Sequence, residues 1–226
     1  MQEYSRLRKK IVITFFVALF SVTAFCQNLF SFATDIGAQR NFKNDQLYWA
    51  FGYTTQAQFH ITSRDGVYAW FAAYSPGHYK NKLTATAKSP VTLPQEIAYT
   101  NKGKMRLKQF SLGWRRYLKG TPDAEKGSNF YAFGGFGLLL GRVDNEHSPT
   151  IDTADYNTPV RSGRANFKRL TLDLGAGWEY PIGADFYLYS EGRVWVPTTA
   201  YPSDYIFVNN NAPFTGMINL GLRLLF

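Results

Sequence analysis

His60, His78 and His147 are the three imidazoles of this 226-residue chain, and Cys26 is its one thiol. Glu146-His147-Ser148 sets an acid, a base and a hydroxyl side by side, the residue types of acyl transfer. A hydrolase needs such groups to converge in space. Neighbours on an extended segment point apart instead, and nothing nearby supplies an oxyanion hole, so the tripeptide reads as solvated loop. His78 has no ligand partner at metal spacing. His60 continues the polar face of an alternating segment, where a hydrogen bond is the simpler role. Gly134-Gly135-Phe136-Gly137 resembles a phosphate loop, but the next glycine is Gly141, which breaks the G-x-G-x-x-G spacing. Tight strand packing or a bulge fits those glycines better. No catalytic, cofactor-binding or metal-binding residue is therefore expected, and no cofactor.

The basic residues are the other chemical signal. Lys and Arg number 25 against 16 Asp and Glu, a net charge of +9. Between residues 76 and 108 lie Lys80, Lys82, Lys88, Lys102, Lys104, Arg106 and Lys108 against Glu96; Arg161, Arg164, Lys168 and Arg169 follow later. Lys102, Lys104, Arg106, Lys108, Lys168 and Arg169 are the candidates for phosphate contacts. Ordinary solvated charge is the alternative, and the sequence leaves both open. Nucleic acid is not an expected partner, because no binding motif occurs and the N-terminus directs export.

That N-terminus carries Arg6, Arg8, Lys9 and Lys10, then an apolar run from Ile11 to Phe25, then Ala24-Phe25-Cys26. The layout is that of a secretory signal peptide over residues 1–26, cleaved before Gln27. The apolar run falls short of the roughly 20 residues a spanning helix needs. Phe25 does not suit the position before a lipidated cysteine. Cleavage leaves 21 basic against 15 acidic residues, +6, and removes the only thiol, so no disulfide staples the mature chain. Aromatics at 17% and charged residues at 18% exclude a disordered chain, and a mean hydropathy of −0.26 excludes a helical membrane bundle.

The elements that must position these residues are strands. In residues 46–61, Leu47, Trp49, Phe51, Tyr53, Ala57, Phe59 and Ile61 share one face, while Gln46, Tyr48, Thr54, Gln56, Gln58 and His60 share the other. A helix would mix these sets; a strand separates them. The same alternation runs through 105–118, 169–180, 186–196 and 214–226, and more loosely through 28–39 and 67–75. Residues 129–141 are apolar or Gly on both faces, so their facing stays ambiguous. Eight strands result, several at the 9–11 residues that cross a bilayer at a tilt. Short connections (62–66, 119–128, 181–185) alternate with others, of which 76–104, 142–165 and 197–212 read as long polar loops.

Alternation does not say which face turns outward. The polar rows hold Gly52, Gly113, Gly175, Gly177 and Gly221, and charges of both signs: Arg115, Asp173, Glu179, Glu191, Arg193 and Arg223. Small residues and pairable charges suit the lumen of an eight-stranded barrel, with the apolar rows facing lipid. The chain resembles the OmpA/OmpX-type outer-membrane barrels in its signal peptide, its eight alternating strands and its end, Met217 to Phe226. The resemblance implies an all-β, eight-stranded antiparallel up-and-down transmembrane β-barrel over residues 27–226, resident in a bacterial outer membrane. It implies that Phe226, Leu224 and Leu222 are read by the barrel-assembly machinery, and that outer-membrane lipids, with their lipopolysaccharide phosphates, are partners. No periplasmic domain is expected after strand eight.

The expected role is structural or surface interaction, with long extracellular loops as the working surface, an unknown extracellular ligand and a lumen plugged by side chains. An outer-membrane lipid-modifying enzyme would instead require His147, Ser148 and an acid to converge. A soluble, secreted, lipocalin-like carrier would require the apolar rows inside.

Overall fold

The structure is a computed structural model that describes residues 30–199, 204–205 and 215–226. The expected signal peptide at 1–26 and most of the 197–212 connection lie outside the described residues. Ten strands follow in chain order: β1 (Phe30–Asn41), β2 (Tyr48–His60), β3 (Asp65–Tyr74), β4 (Gly77–Ala87), β5 (Glu96–Lys119), β6 (Asn129–Ser148), β7 (Tyr156–Asn157), β8 (Gly163–Gly183), β9 (Phe186–Pro197) and β10 (Thr215–Leu225). Every pairing is antiparallel. β1 pairs with β2 and β10, and β3 closes the circle on β5.

The closed wall has eight positions because β3 and β4 share one. β3 pairs β5 from Asp65↔Arg116 to Ala73↔Lys108, and β4 continues along the same strand from Gly77↔Met105 to Thr86↔Glu96. The break falls at Ser75-Pro76, where proline brings no N–H to the ladder. Short turns join the strands at one end. Gly183 (φ 137°) and Ala184 (φ 46°) make the tightest of them, between β8 and β9. The start of β1 and the end of β10 meet there too: Phe226 N donates to Phe30 O at 2.8 Å, and the two rings lie 6.0 Å apart.

Side chains alternate as period two demands. Trp49, Phe51, Leu112, Phe136, Leu174 and Leu222 point outward, while Asp173 and Glu191 are wholly enclosed. A soluble carrier would reverse this, so the lipocalin-like arrangement does not hold. In β6 the odd residues, Tyr131, Phe133 and Leu139 among them, turn inward and Phe136, Leu138 and Leu140 outward. This settles the segment whose sequence was apolar on both faces. Uncovered rows of this extent are stable against hydrocarbon and unstable against water.

Two of the expected long loops are corrected. Residues 76–104 are mostly strand and 142–165 half strand, because β4, the first half of β5, the last third of β6 and the start of β8 run on past the rim. β5 has 24 residues, β6 20 and β8 21, against 11 to 13 in β1, β2, β9 and β10. One wall thus rises about 30 Å further along its strands, at roughly 3.3 Å per residue. The segment after β6 folds back over the inner side of this extension. Ile151 and Tyr156 are buried against Ala85 and Tyr99, and Tyr156-Asn157 pairs with Ala87 and Thr86. Asn145 Nδ2 ties it down by donating to Arg161 O at 3.2 Å and Tyr205 O at 2.7 Å.

Candidate functional site

Two groups of functional side chains emerge, one inside the lower barrel and one on the outer wall of the extension. Inside, strand parity brings Arg115 (β5), Asp173 (β8), Glu191 and Arg193 (β9) into one chain. Arg115 Nη2 donates to Glu191 Oε2 at 2.8 Å and to Gln56 Oε1 at 3.1 Å. Arg193 Nη2 donates to Glu191 Oε1 at 2.7 Å, and its Nη1 lies 3.4 Å from Asp173 Oδ2. Gln109 Nε2 donates to Asp173 Oδ1 at 2.7 Å, and Tyr131 OH to Glu191 Oε2 at 3.3 Å. Gly137 allows this approach, since a Cβ there would stand 2.4 Å from Gln109 Nε2.

Glu179 and Arg223 form a second, separate pair nearer the short turns. Arg223 reaches both carboxylate oxygens, Nε to Oε2 at 3.1 Å and Nη2 to Oε1 at 2.9 Å, and also donates to Pro122 O at 2.7 Å. All six ions are buried. Ions this enclosed persist only when paired and hydrogen-bonded, and two-point arginine–carboxylate contacts are the strong form. The guanidiniums also lie on rings: Arg115 is 3.9 Å from Tyr131, Arg193 3.9 Å from Trp70, and Arg223 4.0 Å from Tyr187. Above them the lumen turns aromatic, with Trp195 edge-on to Trp70 at 5.9 Å and to Tyr74 at 6.1 Å.

Sequence reasoning missed Asp35, which accepts from Thr54 Oγ1 and Tyr189 OH at 2.6 Å each. Its signal was the row Ser31, Ala33, Asp35, Gly37, Gln39, hidden by the looser alternation of strand one. His60 bonds within the lumen, with Ser31 Oγ 3.0 Å from Nε2 and Gln58 Nε2 donating to Nδ1 at 3.3 Å.

His147 is not a solvated loop residue. It sits on the inner face of β6, buried, with its ring 4.6 Å from that of Tyr99, and burial lowers its pKa below the ordinary 6.5. Glu146 and Ser148 turn to the exposed outer face, so the three groups diverge. Burial likewise pushes Tyr79, on the inner face of β4, up to about 12. Among the described residues no three His, Cys, Asp or Glu are grouped to hold a metal.

On the outer wall, Lys102, Lys104, Arg106 and Lys108 project from alternate positions of β5, and Lys168 projects from β8. Arg169 does not join them. It follows Lys168 by one residue, so the pleat turns it into the lumen, buried, with its guanidinium 5.6 Å from the Phe167 ring. Arg142, unassigned from sequence, takes a place on this wall instead, opposite Arg106 and beside Asn166. Arg164 is engaged by Asp144, Nη2 to Oδ2 at 2.9 Å. An open cavity of about 510 Å³ lies among Arg106, Lys108, Leu140, Arg142, Asn166 and Lys168. Leu222 and Phe226 lie exposed on the outer face of β10 and the chain end, with Leu224 part-exposed between them.

No family model matches this chain, and no curated protein matches it in sequence. Solved structures do. Neisserial surface protein A superposes with a TM-score of 0.55 at 12% identity, over 87% of this chain and 97% of that one. The N-terminal barrel domain of Pseudomonas aeruginosa OprF gives 0.48 at 13% identity over the same shares. Ail, the attachment invasion locus protein of Yersinia pestis, gives 0.48 at 12%, again over 87% and 97%. Eight antiparallel strands, closed first to last, with apolar rows outside and paired ions within, make this chain's fold that of the small outer-membrane β-barrels of the OmpA/OmpX type.

Proposed function

We infer that the chain is an integral protein of a bacterial outer membrane, exported with loss of residues 1–26, and that it acts by structural or surface interaction rather than by catalysis. One observation carries this reading. Along β5 the outward residues are Lys102, Lys104, Arg106 and Lys108, then Phe110, Leu112 and Trp114, while the inward ones are Met105 and Leu107, then Gln109, Ser111 and Arg115. A strand surrounded by one solvent keeps one sense of amphipathicity. Reversal between Lys108 and Phe110 marks a passage from water into hydrocarbon.

The buried ion pairs and rings support a lumen plugged by side chains, since eight strands leave space for little else. The working surface is then the strand extension with the segment folded over it, facing an extracellular ligand. Phe226, Leu224 and Leu222 serve as the signal for the barrel-assembly machinery. The lipid-modifying alternative is disfavoured by the divergence of Glu146, His147 and Ser148.

Fractionation followed by gel mobility with and without boiling tests the reading. The protein should pellet with the outer membrane, need detergent for extraction, and migrate faster unboiled. Recovery of folded protein in buffer without detergent would overturn it.

A further inference from the structure

The basic patch on the outer wall is electrostatically frustrated. Arg106 stands directly across the ladder from Arg142, and Lys80 from Lys102. Like charges opposite one another destabilise a sheet, and sequences ordinarily avoid them. Glu146 stands across from Lys102 and Asp144 is held by Arg164, so neither acid pairs with Arg106 or Arg142. Arg106, Lys108, Arg142 and Lys168 make no ion pair with any described residue. An outside anion is the group this surface lacks.

Position identifies the kind of anion. Lys108, Leu140 and Lys168 form one cross-strand row, which places the two lysines about 10 Å apart, two strand spacings. Arg106, Arg142 and Asn166 form the row beyond it, and the cavity of about 510 Å³ opens between them. On the other side of the lysine row the wall is hydrocarbon, with Phe110, Leu138 and Leu170 all exposed. A molecule seated here meets fixed positive charge and a hydrogen-bond donor at its head and oil below. A free anion satisfies the first half only. A lipid phosphate satisfies both, with arginines and lysines taking the phosphate oxygens.

We propose that Arg106, Lys108, Arg142 and Lys168, with Asn166, form a binding site for the phosphate groups of an outer-leaflet glycolipid whose acyl chains lie along Phe110, Leu138 and Leu170. The site deepens the membrane reading and rests on it. It fastens the barrel at a fixed depth by one wall, the same wall that carries the extension.

The protein, folded in octyl glucoside micelles that contain no phosphate, is titrated with three probes: bisphosphorylated lipid A, its dephosphorylated form, and inorganic phosphate. Binding is read by calorimetry, and folding by heat-modifiable mobility. Bisphosphorylated lipid A should bind at least about tenfold more tightly than either other probe, and less tightly as salt is raised. R106A/R142A/K168A should lose about tenfold or more, while R106K/R142K and K126A, the latter in a turn at the opposite end, should keep most of the affinity. Equal binding of the dephosphorylated lipid, unaltered binding by the folded triple variant, or equal binding of inorganic phosphate each overturns the proposal. Failure of the membrane reading itself would show earlier, as protein that stays folded without detergent.

Discussion

The two halves of β5 face different worlds with opposite dress. From Gln109 to Arg115 the strand is oily outside and mainly polar inside, and from Lys102 to Lys108 it is cationic outside and apolar inside. β6 and β8 turn over at the same level. β6 passes from Phe136, Leu138 and Leu140 to Arg142 and Asp144 outside, and β8 from Leu170 and Leu172 to Lys168 and Asn166. Geometry is continuous across the boundary from β5 through β6 to β8, since their ladder registers run through it unbroken. What changes is the surroundings. Hydrocarbon leaves the lower lumen as the only place for charge, so ions pair there. Above, water takes the charges and the inner face turns apolar: Met105, Leu107 and Val143 join the lumen cluster that holds Trp195, while Ile151 and Tyr156 pack with Ala85 and Tyr99.

The sharpest way to break the lower half is to remove the acid that two arginines share. Glu191→Ala leaves Arg115 buried without an acid and Arg193 with Asp173 alone, and should cost about 3–5 kcal/mol, read by urea unfolding in micelles. A loss under about 1 kcal/mol would mean that water reaches these groups and that the lumen is less closed than its packing implies.

The boundary can then be located by a single charge. Leu112→Arg places a guanidinium on the outer face within the apolar band and should cost about 2–4 kcal/mol, while Thr100→Arg on the same face of the same strand should cost about 0–1 kcal/mol. The same urea titration reads both. Equal costs would erase the distinction between the halves.

This contrast also explains what the sequence disclosed. The lower barrel was legible because Leu170, Leu172 and Leu174 alternate with Thr171, Asp173 and Gly175, a pattern that gives face and partner together. The extension was not, because Lys102 to Lys108 looks like solvated loop until its inward partners, Gly103, Met105 and Leu107, are counted as the apolar row. A reading that expects one sense of amphipathicity per strand ends the strand where the sense reverses. Residues 129–141 hid their facing because Tyr131 and Phe133 fill the lumen beside Arg115 instead of facing lipid. Arg169 was placed with Lys168 by nearness along the chain, although parity separates them. Ion-pair partners are another matter. Composition of a face names the candidates, but that Arg223 takes Glu179 while Glu191 is shared depends on the stagger of β5, β8, β9 and β10, which no single strand encodes.

The smallest effect expected should appear in the upper half alone. His147 is buried against Tyr99, with both ring nitrogens lacking a hydrogen-bond partner among the described residues. Burial holds its pKa below 6.5, so the folded extension keeps the ring neutral while the unfolded segment protonates near 6.5. The stability this contributes is complete above about pH 6.5 and is lost as pH falls toward the lowered folded value. Amide exchange, corrected for its intrinsic pH dependence, should therefore show protection around Asn101 and His147, which pair across the ladder, declining between about pH 7 and 5. Protection at Leu112 and Phe136, paired in the lower barrel, should hold steady over the same range. His147→Phe keeps the ring packing and removes the titration, so its upper ladder should lose the pH dependence. If wild type and variant decline together, the two halves unfold as one unit, and the change of solvent at Lys108 sets facing without setting independent stability.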